Sequence, residues 1–106
     1  MTRRVQGIVY ELKRALQAIY GARLKGLYIY GSYARGEEDR ESDLDVLVVL
    51  DAIDDYGDEI DRTSEAISRL SLEYEISISR AFVSEQDWRD GHTPFLSNVR
   101  EEAIPA

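Results

Sequence analysis

The run Asp43–Leu50, "DLDVLVVL", limits what this chain can fold into more than any other stretch. After its two acids it is leucine and valine without a break. That composition suits a β-strand and leaves no polar face for water. Such a strand is buried on both sides, so it lies centrally in a sheet that other elements must cover. The chain has 106 residues, enough for one small domain built around that strand. Residues 1–106 are therefore read as a single domain.

The flanking segments supply the cover. Val5, Ile8, Val9, Leu12, Ala15, Leu16 and Ile19 recur at helical spacing with charged residues between them, and Gly21 can end that helix. "LKGLYIY", Leu24–Tyr30, reads as a short buried strand broken by Gly31-Ser32. Tyr33–Gly36 has room for one helical turn before the polar loop "EEDRES". Asp51–Leu72 reads as a second helix with Ile53, Tyr56, Ile60, Ile67 and Leu70 on its apolar stripe. Its opposite face is acidic: Asp54, Asp55, Asp58, Glu59, Asp61 and Glu65. Such a face is either solvated or a dock for a basic partner.

"EYEISISRAFV", Glu73–Val83, alternates. Tyr74, Ile76 and Ile78 share one face and Glu73, Glu75 and Ser77 the other, which predicts a half-buried strand. Ser84 with Asp87 resembles a capping box that opens a short helix carrying Trp88. Thr93-Pro94 opens another, with Phe95, Leu96 and Val99 as its apolar positions. The order is helix, strand, helical turn, strand, helix, strand, helices. It predicts an α/β (α+β) domain with a mixed sheet of three or more strands flanked by helices.

Composition narrows the function classes. The chain has no cysteine, which excludes disulfides, thiol catalysis and cysteine-ligated zinc. Its net charge is −8, which disfavours direct nucleic acid binding. The apolar runs are too short to span a membrane. "MTRRVQGIVYELKRAL" lacks the apolar core and cleavage site of a signal peptide and reads as an ordinary helix of a cytoplasmic protein. His92, the one histidine, follows Gly91 in a loop and reads as a surface residue. Trp88, Tyr28 and Tyr30 read as packing residues. The long apolar stripe on so small a domain is compatible with a homo-oligomer or a protein partner.

Two features carry chemistry. Residues two apart in a strand point the same way, with Cα atoms roughly 6.5–7 Å apart. Asp43 and Asp45 thus project from one face, and they repel each other unless a cation lies between them. Magnesium fits, as a hard ion held by one or two carboxylates plus substrate phosphates. Two such ions about 3.5–4 Å apart clamp the attacking and leaving oxygens of a displacement at phosphorus. Gly31-Ser32, where a strand enters a helical turn, offers backbone N–H groups and a hydroxyl to an anion. Taken singly, Asp-x-Asp is also a solvated turn and Gly-Ser also a plain turn with a serine cap. Their combination is the sharper signal.

Gly31-Ser-Tyr-Ala-Arg-Gly36, then Ser42-Asp-Leu-Asp45 at the head of a buried strand, resembles the minimal nucleotidyltransferases of the DNA polymerase beta-like superfamily. Ten residues separate Ser32 from Asp43, and "SEQDW" and "PFLSNVREEAIP" also look like the tails of such proteins. The resemblance implies transfer of a nucleoside monophosphate, AMP from ATP, to a hydroxyl with release of pyrophosphate. It implies that Gly31 and Ser32 grip the triphosphate and that Asp43 and Asp45 bind magnesium as two ions. A third carboxylate on a neighbouring strand would complete the metal site and help deprotonate the acceptor. Glu75 is the choice for it and Glu73 the rival. Arg35 would meet phosphate or acceptor, or else pair with Glu37 or Glu38.

Stand-alone members of that family are often encoded beside a HEPN-domain toxin. The resemblance implies an antitoxin that places AMP on a tyrosine of such a partner. The alternative it leaves open is a non-catalytic antitoxin that binds nucleotide or partner without transfer.

Overall fold

The computed structural model describes residues 1–106. Its elements are α1 (Arg3–Tyr20), a short 3-10 turn (Gly21–Arg23), β1 (Leu24–Tyr30), α2 (Ser32–Arg35), β2 (Leu44–Leu50), α3 (Tyr56–Tyr74), β3 (Ile78–Ser84), α4 (Glu85–Asp90), α5 (Pro94–Glu102) and β4 (Ile104–Pro105). The sheet order is β3-β2-β1-β4. The sheet is mixed. β1 runs antiparallel to β2 and to β4, while β3 runs parallel to β2 after the crossover through α3. No helix is long and apolar enough to cross a membrane.

β2 is central, as its composition requires, and its side chains divide between two cores. Leu44, Val46, Val48 and Leu50 pack with the apolar stripe of α1 and with Ile67 and Leu70 of α3. Leu47 and Val49 face the other way, against Val83 of β3 and Leu96 and Val99 of α5. The sheet is therefore sandwiched, with the long helices on one face and the two short C-terminal helices on the other.

Helix α1 holds Val5, Ile8, Val9, Leu12 and Leu16 in the core, while Ile19, expected there, is exposed and Tyr20 is buried in its place. Helix α3 starts at Tyr56 rather than Asp51, with Asp55 capping the Asp58 N–H. It extends past Leu72 through Tyr74. Asp54 and Asp55, which precede the helix, and Asp58, Asp61 and Glu65 within it are exposed, but Glu59 turns inward and is buried. The Tyr20 hydroxyl donates to Glu59 at 2.8 Å, and Arg23 reaches the other carboxylate oxygen at 3.4 Å. Burial, with Glu59 next to it, holds the Tyr20 hydroxyl well above the usual phenolic range. Without those partners a buried carboxylate would cost several kcal/mol, on the order of the penalty for one uncompensated buried ion.

The strand expected over Glu73–Val83 is shorter. Glu73 and Tyr74 belong to the last turn of α3, and Glu75 sits in the left-handed region at its end, φ 51°. The chain reverses there, and the strand begins at Ile78. β3 is an edge strand. The hydroxyl of Tyr56 accepts its Phe82 N–H at 3.2 Å, which blunts the open edge. Tyr28 packs against Trp88, their rings tilted by 38° with centroids 4.8 Å apart, the packing role expected of both.

Candidate active site

β1 ends at Tyr30, which lies opposite Asp45 in the antiparallel register. The next residue, Gly31, has φ +73°, a conformation side chains disfavour. A Cβ built on it would stand 2.2 Å from Asp45 Oδ2. Any side chain here would displace that carboxylate. The Gly-Ser turn and the Asp-x-Asp pair are therefore in direct contact, which their separation in sequence only suggested.

From Gly31 the chain makes the single turn of α2. The Ala34 and Arg35 N–H groups return to the Gly31 carbonyl at 3.1 and 3.2 Å. Gly36, φ +71°, closes the turn in the left-handed conformation, its N–H bonded to the Ser32 carbonyl. The loop that follows is shaped by Asp39, which accepts from the Glu41 N–H at 2.8 Å, while its own N–H donates to Ser42 Oγ at 2.9 Å. Leu44 N–H then donates to the Ser77 carbonyl at 2.8 Å. That bond sets the Asp43–Asp45 segment alongside β3.

Asp45 shares the sheet face of Leu47 and Val49 and is half-buried; Asp43 is exposed. Burial pushes the Asp45 carboxyl above its usual range, and the charges of Asp43 and Glu102 push it further, with Arg35 opposing them. Burial also drives the Tyr30 hydroxyl up to about 12, helped by the charges of Asp45, Tyr56 and Glu102. The site is crowded with negative charge, the condition in which a cation is welcome.

Arg35 is bound by two carboxylates. Its Nε donates to Glu37 Oε2 at 3.0 Å and its Nη1 to Glu102 Oε2 at 2.7 Å. The same Oε2 accepts the Gly31 N–H at 3.1 Å. The pairing with Glu37 was among the sequence expectations. Glu102 was not, since it lies 71 residues from Gly31 and no local spacing connects them.

The expected third acid needs correction. The β3 residue beside Asp45 is Ser79, so no carboxylate projects from that strand next to the pair. Glu75 lies before the strand, at the end of α3, and Glu73 lies inside α3 paired loosely with Arg69 at 4.0 Å. No three acidic or histidine side chains are grouped to hold a metal ion. The helix simply runs longer than the alternating pattern implied, which removes both glutamates from the sheet.

The donor set at Asp43 and Asp45 fits one divalent cation. Both ligands are hard carboxylate oxygens, and they are close enough that Asp43 raises the Asp45 carboxyl. A second ion finds no carboxylate on β3. The largest cavity, about 890 Å³, is not lined by either aspartate. It opens beside them, between Arg4, Tyr33, the loop Glu38–Ser42 and the Ser71–Ser77 segment that includes Glu75. Its lining is mostly polar, unlike the predominantly apolar walls of small-molecule pockets.

The chain is similar to known proteins over most of its length. Residues 9–104 match the nucleotidyltransferase domain family. Two proteins of Methanocaldococcus jannaschii, each named as a putative protein adenylyltransferase, are similar in sequence. One is 35% identical over 95 residues, 89% of this chain and 89% of its own length. The other is 36% identical over 72 residues, covering 68% of this chain and 72% of its own length. A toxin-antitoxin crystal structure with AMP-PNP shares the fold at a TM-score of 0.63 and 19% identity, over 98% of this chain and 72% of that one. A minimal nucleotidyltransferase structure does so at 0.61 and 24%, over 96% and 92%. A glycine turn pressed onto an aspartate pair, in a chain matched along nearly its whole length, leaves one conclusion: this chain belongs to the nucleotidyltransferase domain family.

Proposed function

We propose that the chain transfers AMP from magnesium-bound ATP to a hydroxyl acceptor, a tyrosine of a HEPN-domain toxin partner, and so acts as an antitoxin. The observation that carries the transfer is the contact between Gly31 and Asp45. It supports reading the Gly31-Ser32 turn as the phosphate-binding element and the adjacent Asp43 and Asp45 as the metal-binding acids. The named activity of the similar sequences, protein adenylyltransferase, supports a protein acceptor. The toxin-antitoxin assemblies that share the fold support the partner class.

The reaction divides among the residues as follows. The Ser32 end of the turn and Arg35 receive the β- and γ-phosphates. Asp43 and Asp45 would hold the magnesium, which would supply neutralisation of phosphate charge, including that developing on the leaving pyrophosphate. The acceptor oxygen bonds to the α-phosphorus as the bond to pyrophosphate breaks. The hydroxyl proton passes to a carboxylate of the pair or to water. Arg35, with N–H groups beyond the two already paired, stabilises the departing group.

A second reading is favoured by one observation. The β3 residue beside Asp45 is Ser79 and not an acid, which supports neutralisation of the partner by complex formation alone. Incubation of wild type with the partner and Mg-ATP, followed by mass spectrometry, decides between them. Transfer adds the mass of AMP to a partner tyrosine, and Asp43→Asn with Asp45→Asn abolishes that addition and the protection together. Protection by the double variant equal to wild type would defeat the enzymatic reading.

A further inference from the structure

Glu102 is held in place from both directions. Before it, Leu96 and Val99 are buried against β2 and β3. Arg100 ties α5 to the end of α4, donating from Nε to the Trp88 carbonyl at 2.8 Å and from Nη2 to the Asp87 carbonyl at 2.9 Å. After it, Ile104 pairs with Ile29 of β1. The carboxylate is thus presented from a rigid frame, not from a free tail.

Its one oxygen, Oε2, accepts from both Gly31 N–H and Arg35 Nη1. Arg35 is otherwise a long exposed side chain on a one-turn helix, and immobilising such a side chain upon binding costs free energy. Held by Glu37 at Nε and Glu102 at Nη1, the guanidinium has its orientation set in advance, with other N–H groups free to meet an anion. We infer that Glu102 is a positioning residue. It fixes Arg35 and the Gly31 end of the turn relative to each other before nucleotide arrives. The inference rests on the reading above that Arg35 meets the phosphates.

The opposite effect is equally concrete. A carboxylate beside the phosphate site repels a triphosphate and occupies two donors, so its removal would tighten binding. The direction of the effect separates the two roles.

The test is a double-mutant cycle on the full chain, with affinity for a magnesium-loaded, non-hydrolysable ATP analogue measured by calorimetry. Glu102→Ala is expected to weaken binding about tenfold in the wild-type background and less than about twofold when Arg35→Ala is already present, because the loss runs through Arg35. Glu102→Gln keeps the shape without the charge and is expected to lose roughly threefold. It replaces Glu102→Ala in the cycle if that variant does not fold. An equal loss in both backgrounds would mean general support of the fold and overturn the inference. Tighter binding by Glu102→Ala would overturn it in favour of repulsion. If wild type itself binds no analogue at millimolar concentration, the nucleotide reading fails and takes this inference with it; binding by wild type without coupling defeats this inference alone.

Discussion

Asp45 is under two opposed demands. In the proposed reading its carboxylate must be ionised to hold a cation, yet it is half-buried beside Gly31 and faces the charges of Asp43 and Glu102. Those three causes raise its affinity for a proton in the folded chain above that in the unfolded chain. The favourable part of that shift is fully present below the unfolded carboxylate range, near pH 4, and is lost as pH rises through the folded value. At neutral pH the ionised Asp45 is therefore a net cost to the fold. Asp45→Asn removes the charge and keeps the volume. It is expected to stabilise the protein slightly at pH 7, an effect that solvent screening of a half-exposed group keeps small, while losing transfer, the usual sign of a residue kept for function. Thermal unfolding of both proteins at pH 7 and near pH 4 checks this. The advantage should vanish at the acid end, and equal midpoints at pH 7 would contradict the electrostatic account.

At the scale of elements, the end of α3 is where sequence and structure part, and the reason is physical. Ile76 and Ile78 are buried, so an alternating strand that includes them satisfies the same hydrophobic pattern as a helix that stops at Tyr74. A glycine would have marked the reversal, but the left-handed position is filled by Glu75. Two penalties meet there. A non-glycine residue carries the strain of φ 51°, and an acid sits at the negative end of a 19-residue helix with no basic residue in its last turn. Glu75 is exposed. Glu75→Gly is therefore expected to stabilise the fold by about 1 kcal/mol, read as a shift in the denaturant midpoint. Retained transfer by this variant would take Glu75 out of the chemistry, and a loss would restore it. By contrast, β2 and the turn before it were legible because their signals are local: an unbroken apolar run, and a Gly-Ser pair at a fixed distance. The pairing of β4 with β1 and the reach of Glu102 to Gly31 depend on contacts across most of the chain, which no window of sequence contains.

For the whole molecule, the dominant long-range feature is charge. The chain carries a net −8 over 106 residues, and five acids of the Asp54–Glu65 stretch are exposed. Its ion pairs are largely exposed at one or both partners, as at Arg35–Glu37 and Arg89–Asp90, and pairs of that kind contribute about 0–1 kcal/mol each. The buried exception, Glu59, is satisfied by short-range bonds from Tyr20 and Arg23 that salt screens weakly. Repulsion spread over the surface is the part that salt removes, since the screening length falls from about 30 Å at 0.01 M to about 10 Å at 0.1 M. Self-repulsion opposes compaction, so screening it favours the folded state. The melting midpoint is expected to rise by roughly 2–5 °C between about 0.01 and 0.3 M sodium chloride, equivalent to a gain of somewhat under 1 kcal/mol for a domain of this size. A scanning calorimetry series in chloride salts measures it. A midpoint that fell with salt would show that the surface ion pairs outweigh the net repulsion. Replacing Asp58 and Asp61 with lysine should then flatten the slope if the α3 face is its source, because the same face that destabilises the free chain is the one a basic partner surface would neutralise on docking.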